Sequence, residues 1–298
     1  SAGTEFIYHA PGGSVRHPVS NEVLKPTPLA ATPLNIPAGT DPRETLAEWL
    51  LTPENPFLAR AMANRVWGQF LGRGIVHPVD DFRATNPPVN PELLDALAAD
   101  FAVHDFDLRH LMRRIMNSRL YQLSSLPNKT NVQDTSSFSR FYRRRISAEN
   151  LHDILVQVSG VESGFYNLRR DARSVELWTT RMDSALLESF GLPNSSENCP
   201  VERDDRPSMV QALHLMNSDK LQAKLADKNG RAAKLSQDDK PSDEVVNELY
   251  LALYSRWPSD EEKRVALEAF KSGGAKRHEV VEDIIWALIN TAEFVFNH

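Results

Sequence analysis

A single cysteine, Cys199, stands in a chain of 298 residues. That excludes an intrachain disulfide, Cys-x-x-Cys zinc or redox sites, and the Cys-x-x-Cys-His haem attachment. A lone cysteine fits a reducing compartment without forbidding export, because a chain of this length can bury enough core to hold without disulfides. No run approaches ~18 consecutive apolar residues, so no transmembrane helix is expected. No signal peptide opens the chain, and Ser1-Ala2-Gly3 reads as a tag remnant, so the native address is not legible there. Excess positive charge is missing as well. The formal net charge is -6, which provides no overall basic field for a nucleic acid. Gly-x-Ser-x-Gly elbows, phosphate-binding glycine loops and His-Glu-x-x-His helices are all absent, which removes the most recognisable enzyme classes.

What is present has the grammar of helices. Apolar residues make up 41% and charged residues 25%, ordinary values for a globular protein. Residues 1–40 carry short β-friendly pieces around Phe6-Ile7-Tyr8, Val15 and Val23-Leu24, then a Pro-rich run. They predict a β-hairpin or extended arm. Asp41-Pro42-Arg43-Glu44 and Asn90-Pro91-Glu92 each place a capping side chain, a proline and an acid at a helix start. Between them, Leu58, Met62, Val66 and Phe70 form one i+4 row and Ala59, Ala63, Trp67 and Leu71 the row beside it. Arg60, Asn64, Arg65 and Gln69 fall on the opposite, polar face. Later starts are predicted at Asp107, at Ser147 and at the capping box Ser259-x-x-Glu262, and a last helix carries Val281, Ile284, Ile285, Leu288 and Ile289. From Pro207, Met209, Leu213 and Met216 mark another helix. Residues 227–242 read as a polar, partly mobile segment. The expectation is a mainly α, multi-helix globular domain over 41–298. A non-periodic stretch at 124–137 suggests a further division into subdomains 41–123 and 138–298. Ile115-Met116-Asn117-Ser118-x-x-Tyr121 is echoed by Leu288-Ile289-Asn290-Thr291-x-x-Phe294, a hint of a duplicated helical unit.

Polar groups concentrate between Gly74 and Asn90. Asp80, Asp81 and Arg83 are the candidate catalytic groups there, since carboxylates serve as acid, base or hard-metal ligand. Asn86 is a candidate ligand contact. The competing structural reading has Asp81 and Arg83 bonding helix ends and Asn86 tying a turn before Pro87-Pro88. Farther on, Arg140, Tyr142, Arg143 and Arg144, with Phe138 and Phe141, combine cations and aromatic rings that suit a polysaccharide. The surplus of acids offers those arginines ordinary partners instead. His9, His17 and His77 are the candidate metal ligands.

Several runs in order carry a family resemblance: NRVWGQFLGRGIVHPVDDFRATNPPVNPELLDALAADF, DLRHLMRRIMNSRLYQLSS, FSRFYRRRISAENL, QALHLMNSDKL, LYLALYSRWPSDEE and WALINTAEFVFNH. Over about residues 41–298 the chain resembles the C-terminal domain of unknown function in large planctomycete and verrucomicrobial proteins. Those proteins carry a cytochrome c-like domain near the N-terminus. The resemblance implies an extracytoplasmic, periplasmic setting and other domains of the same parent protein as partners. Any haem would belong to the upstream domain, so no cofactor is expected in this chain. The family brings no activity and no catalytic residue, and His77 lies outside its pattern. The function expected is a non-catalytic scaffold or interaction domain. The alternative is a carbohydrate-active enzyme or polysaccharide-binding module using the 77–88 loop or the 138–145 cluster.

Overall fold

The computed structural model describes residues 14–30, 32–34, 36–37, 39–52, 55–165, 168–169, 171–177, 184–192, 208–237, 240–271 and 276–297. These fall into two compact units, 1–142 and 143–298. The protein is mainly α-helical, with two short antiparallel ribbons among the described residues.

In the first unit, β1 (Val15–Arg16) pairs with β2 (Val23–Leu24) in an exposed hairpin. α1 (Pro42–Leu50) starts where expected, with the Asp41 carboxylate accepting the Arg43 N–H. Its apolar face is not buried: Leu46 is half exposed, and α1 contributes no buried residue. α2 (Pro56–Leu71) is the centre of this unit, packed against α3 (Pro91–Val103) and α4 (Leu108–Met116). Asn55 caps α2 through the Phe57 and Leu58 N–H groups. Gly72 ends it at φ 76°, a conformation only glycine adopts without strain. Ala59, Ala63, Trp67 and Leu71 form the buried row as the periodicity indicates. Asn64 does not sit on the polar face: its exposure is 0%. The helical wheel places it beside Arg60 and Arg65, but the chain after Gly74 folds back over that edge of the helix and encloses it.

In the second unit, β3 (Arg144–Arg145) pairs with β4 (Phe296–Asn297), and the Ile146 N–H donates to the Val295 carbonyl. α5 (Ala148–Ser159) runs from its Ser147 cap to Gly160 at φ 69°. Its buried side, with Leu151, Leu155 and Val158, joins a core supplied by α8 (Asp219–Leu225), α9 (Arg231–Gln237), α10 (Ser242–Tyr254) and α12 (Arg277–Ile289). α6 (Ala185–Ser189), α7 (Met209–Asn217), α11 (Asp260–Lys271) and the short α13 (Ala292–Val295) complete the unit.

The 227–242 segment contains α9, whose Ala232 and Leu235 are buried against α12. Two small apolar contacts suffice because α12 supplies the rest of that interface. α7 lies where Met209, Leu213 and Met216 mark a helix, with Gln211 and Leu215 as its buried residues and Met209 81% exposed. The Asn-Ser/Thr echo has a physical basis. Asn117 and Asn290 are the C-caps of α4 and α12. The hydroxyls of Ser118 and Thr291 each accept the N–H of the aromatic residue three positions on, at 3.2 Å in both.

Candidate functional site

The 77–88 loop is fastened by amides. Asn64 Nδ2 donates to the carbonyls of Val76 (2.9 Å) and Val79 (2.8 Å), and Asn64 Oδ1 accepts the Val76 N–H at 2.9 Å. Asn86 Nδ2 donates to the carbonyls of Asp81 (2.9 Å) and His77 (3.3 Å). The charged groups do something simpler. Asp81 pairs with Arg83 two residues away at 2.6 Å, and Asp80 with Arg65 at 2.5 Å; these pairs lie at the surface. Asp81 and Arg83 therefore bond each other and not helix ends. His77 is held below its ordinary pKa by burial, and further by the charge of Arg73. His17 Nδ1 accepts the Val19 and Ser20 N–H groups inside the hairpin turn. His9 lies outside the described residues. Neither His17 nor His77 belongs to a group of three metal-ligating side chains among the described residues.

The Arg-aromatic cluster is divided. Phe138 and Phe141 are core residues of the first unit, 6% and 4% exposed, so their rings are not open to a sugar face. Arg140 lies over the Tyr142 ring at 5.4 Å, and the Tyr142 hydroxyl oxygen accepts the Phe138 N–H. Arg143 and Arg144 belong to the second unit, Arg144 within the β3–β4 ribbon.

A cleft of about 900 Å³ lies entirely within the second unit. One wall is α5, whose Asn150, Asp153 and Gln157 follow one another at three- and four-residue steps on the side away from the core. The α5 end is secured by Arg231, which donates to the Val158 carbonyl at 2.8 Å and the Gln157 carbonyl at 3.3 Å. Lys224 Nζ holds the adjoining edge by donating to the Val161 and Glu162 carbonyls, and burial lowers its pKa. A 3₁₀ turn, Ser174–Glu176, is tied to α5: Asp153 accepts the Ser174 N–H at 2.7 Å and the Val175 N–H at 3.4 Å. Tyr254, Glu293 and Phe296 also line the cleft. The Tyr254 hydroxyl donates to the Leu288 carbonyl at 3.0 Å and meets the Thr291 hydroxyl at 2.7 Å; burial pushes its pKa up to about 12. Glu293 is paired with Arg256 at 2.6 Å.

A hydroxyl–imidazole pair borders this cleft without being a nucleophile. Ser174 Oγ lies 2.7 Å from His152 Nδ1, but Ser174 is 1% exposed. Asp153 approaches that same nitrogen, at 3.5 Å. A base-activated serine needs its carboxylate and hydroxyl on opposite ring nitrogens. The arrangement instead pins the 3₁₀ turn to α5. Burial lowers the His152 pKa below its ordinary 6.5, a shift that Asp153 partly opposes. A base with a depressed folded pKa contributes stability that is full above its ordinary value and is lost as pH falls below it. The wild type should therefore lose more melting temperature than His152→Gln between about pH 7.5 and about pH 5.5. Parallel thermal melts check this; equal losses contradict it.

Fold and cleft together define a two-unit α-helical domain with a polar, partly aromatic cleft. The chain belongs to the PSD1 family, proteins of unknown function (DUF1553), which it matches over residues 42–270. No curated protein and no solved structure matches it. Asn150, Asp153 and Gln157 read in the sequence like any solvated helix face, and only the fold brings Tyr254 and Glu293 into the same cleft.

Proposed function

We propose that the chain is a non-catalytic interaction domain whose contact surface is the second-unit cleft. In this reading it serves within an extracytoplasmic, periplasmic parent protein that also carries a cytochrome c-like domain. The observation that carries it is the polar stripe of α5. Asn150 and Gln157 present amides to a concavity in which two of the four lining carboxylates, Asp153 and Glu293, are already bonded to protein groups. Carboxylates fixed in this way are poor candidates for moving protons in turnover. The sequence resemblance supports the setting and the other domains of the parent as partners.

A second reading, a module for neutral polysaccharide, draws support from amides that share the cleft lining with the rings of Tyr254 and Phe296. Asp153, Glu162, Asp171 and Glu293 outnumber Arg173 among the charged lining groups, which disfavours sulfated or uronic chains. The test is backbone amide NMR of the full chain with neutral oligosaccharides, a sulfated oligosaccharide, and the parent's cytochrome c-like domain added in turn. Shifts are expected around Asn150, Gln157 and Ser163 with a neutral sugar or the domain, and not with the sulfated one. Gln157→Ala should weaken that binding by about five- to tenfold, as loss of one buried ligand hydrogen bond does, without altering the melting temperature. Hydrolysis of any glycan or ester in a substrate screen, or shifts confined to residues 77–88, would contradict the proposal.

A further inference from the structure

We propose that Asp100, His104 and His110 form a divalent metal site of the zinc class at the turn joining α3 to α4. The ligand atoms of these three side chains lie within 4.8 Å of one another. His110 Nε2 is 2.8 Å from Asp100 Oδ2, and His104 Nδ1 is 3.6 Å from Asp100 Oδ1. Oxygen and nitrogen ligands bonded at about 2.0–2.1 Å around a tetrahedral ion sit about 3.3 Å apart. The two observed separations bracket that value, but each imidazole must aim a nitrogen lone pair at the ion within its own ring plane. Seating an ion therefore requires His104 to turn out of its parallel stack on His110. Taking it up requires His104 Nδ1 to leave the Asp100 carbonyl, 2.7 Å away. His104 is half exposed, which leaves the ring room to do so.

The backbone that assembles the trio is unusual. α3 ends in a Schellman arrangement, with the Phe106 N–H donating to the Phe101 carbonyl and the Asp105 N–H to the Ala102 carbonyl. Phe106 packs edge-on against Phe101 at 5.3 Å, the apolar contact that accompanies this motif. Yet Asp105 and Phe106, at φ 52° and 56°, both occupy the left-handed region without glycine. The tight reversal lets Asp107 cap α4 at once. It sets His110 against His104, rings parallel within 14° and 3.7 Å apart. Asp100 and His104 are one helical turn apart, so both side chains reach the same place.

Two imidazoles and one carboxylate favour zinc, nickel, cobalt or copper over calcium or magnesium, and three protein ligands leave a position for water. His110 also lines a cavity of about 360 Å³ with Arg113 and Arg114. Arg114 Nε stands 3.6 Å from Asp100 Oδ2 and opposes a cation, but its side chain is well exposed and free to swing away.

The test uses the full chain stripped with EDTA. Calorimetric titration should show zinc binding at a single site, and cobalt(II) should give a visible d–d spectrum there. His104→Ala and His110→Ala should each weaken zinc by at least roughly tenfold, whereas Arg114→Ala should tighten it by about two- to fivefold. No heat and no cobalt spectrum with the wild type at millimolar metal overturns the proposal. So does zinc binding that survives the double alanine variant, which would place the ion on other residues. Should an alanine variant fail to fold, imidazole ¹⁵N shifts of the wild type decide. His104 and His110 nitrogens must move on zinc addition, and unchanged shifts overturn the site.

Discussion

Asn64→Leu is expected to destabilise the first unit by about 3–5 kcal/mol, more than any charge-removing change in the 77–88 loop. The substitution strands three backbone groups at once: the Val76 N–H, the Val76 carbonyl and the Val79 carbonyl. Each buried group left without a partner costs about 1–3 kcal/mol. Val76 is as buried as Asn64, so water cannot replace the lost amide there, while the Val79 carbonyl is only partly buried and recovers some of its loss. Asn64→Asp sharpens the test. A carboxylate still accepts the Val76 N–H but turns its other oxygen on two carbonyls. The deficit should be large at neutral pH and should shrink as acid protonates the new group and restores one donor. Asp80→Asn, which breaks only an exposed pair with Arg65, should change stability by less than about 1 kcal/mol. Guanidinium unfolding of the three variants separates these effects. Similar losses for Asp80→Asn and Asn64→Leu would contradict the assignment.

Arg256→Met is expected to be the most damaging change at the surface of the second unit. The guanidinium engages Glu293 through Nε and Nη2 at 2.6 and 2.7 Å, and Glu262 through Nη1 and Nη2 at 2.9 and 2.7 Å. It also lies over the rings of Tyr250 and Tyr254 at 5.5 and 5.3 Å. One side chain thus joins the end of α10 to the start of α11 and to α13. Removing it leaves two carboxylates near each other with no cation between them. Breaking a fully buried pair of this kind costs about 3–5 kcal/mol, but this cluster is roughly a third exposed, and solvent screening reduces the expected loss to about 2 kcal/mol. Arg256→Lys keeps the charge without the planar fork and should recover only part of it. A pH readout distinguishes the network from simple packing. The Arg256 hydrogen bonds hold Glu262 at about 2, below its ordinary 4.5. A carboxylate depressed in the folded state contributes stability that is present above the ordinary value and is lost as pH falls toward the folded one. Between about pH 4.5 and about pH 2, the wild type should therefore lose more stability than Arg256→Met. Equal acid sensitivity would show that Arg256 acts only by packing.

These two residues illustrate what sequence could and could not disclose. Helix starts were legible because a cap is a local event: Asp41, Asn90, Ser147 and the Ser259–Glu262 pair all bond groups two or three residues away. The apolar rows of α2 were legible for the same reason. Asn64 was not, since its burial depends on a chain reversal twelve to fifteen residues later. Arg256 stands beside Trp257-Pro258 in the sequence, with nothing to mark Glu293, thirty-seven residues on, as its partner. The loop drew attention because it is rich in charge, yet amides do the fastening and the charged groups pair near the surface. The cleft escaped notice because amphipathic α5 has an ordinary polar face. Asp100 and His104 carried a local signal, carboxylate and imidazole one helical turn apart, but His110 joins them only through the left-handed turn at 105–106.

Whether residues 75–89 are a fixed fastening or an adaptable ligand loop is decided most directly by hydrogen–deuterium exchange, resolved at the Val76 and Val89 amides. The Val76 N–H is bonded to buried Asn64, and the Val89 N–H donates to the Ile75 carbonyl at 2.9 Å. Both amides should exchange as slowly as those in the middle of α2, and Asn64→Leu should release Val76 first. Exchange of Val76 in the wild type at the rate of an open surface loop would show that the loop is not fastened by Asn64 and would return it to consideration as the binding site.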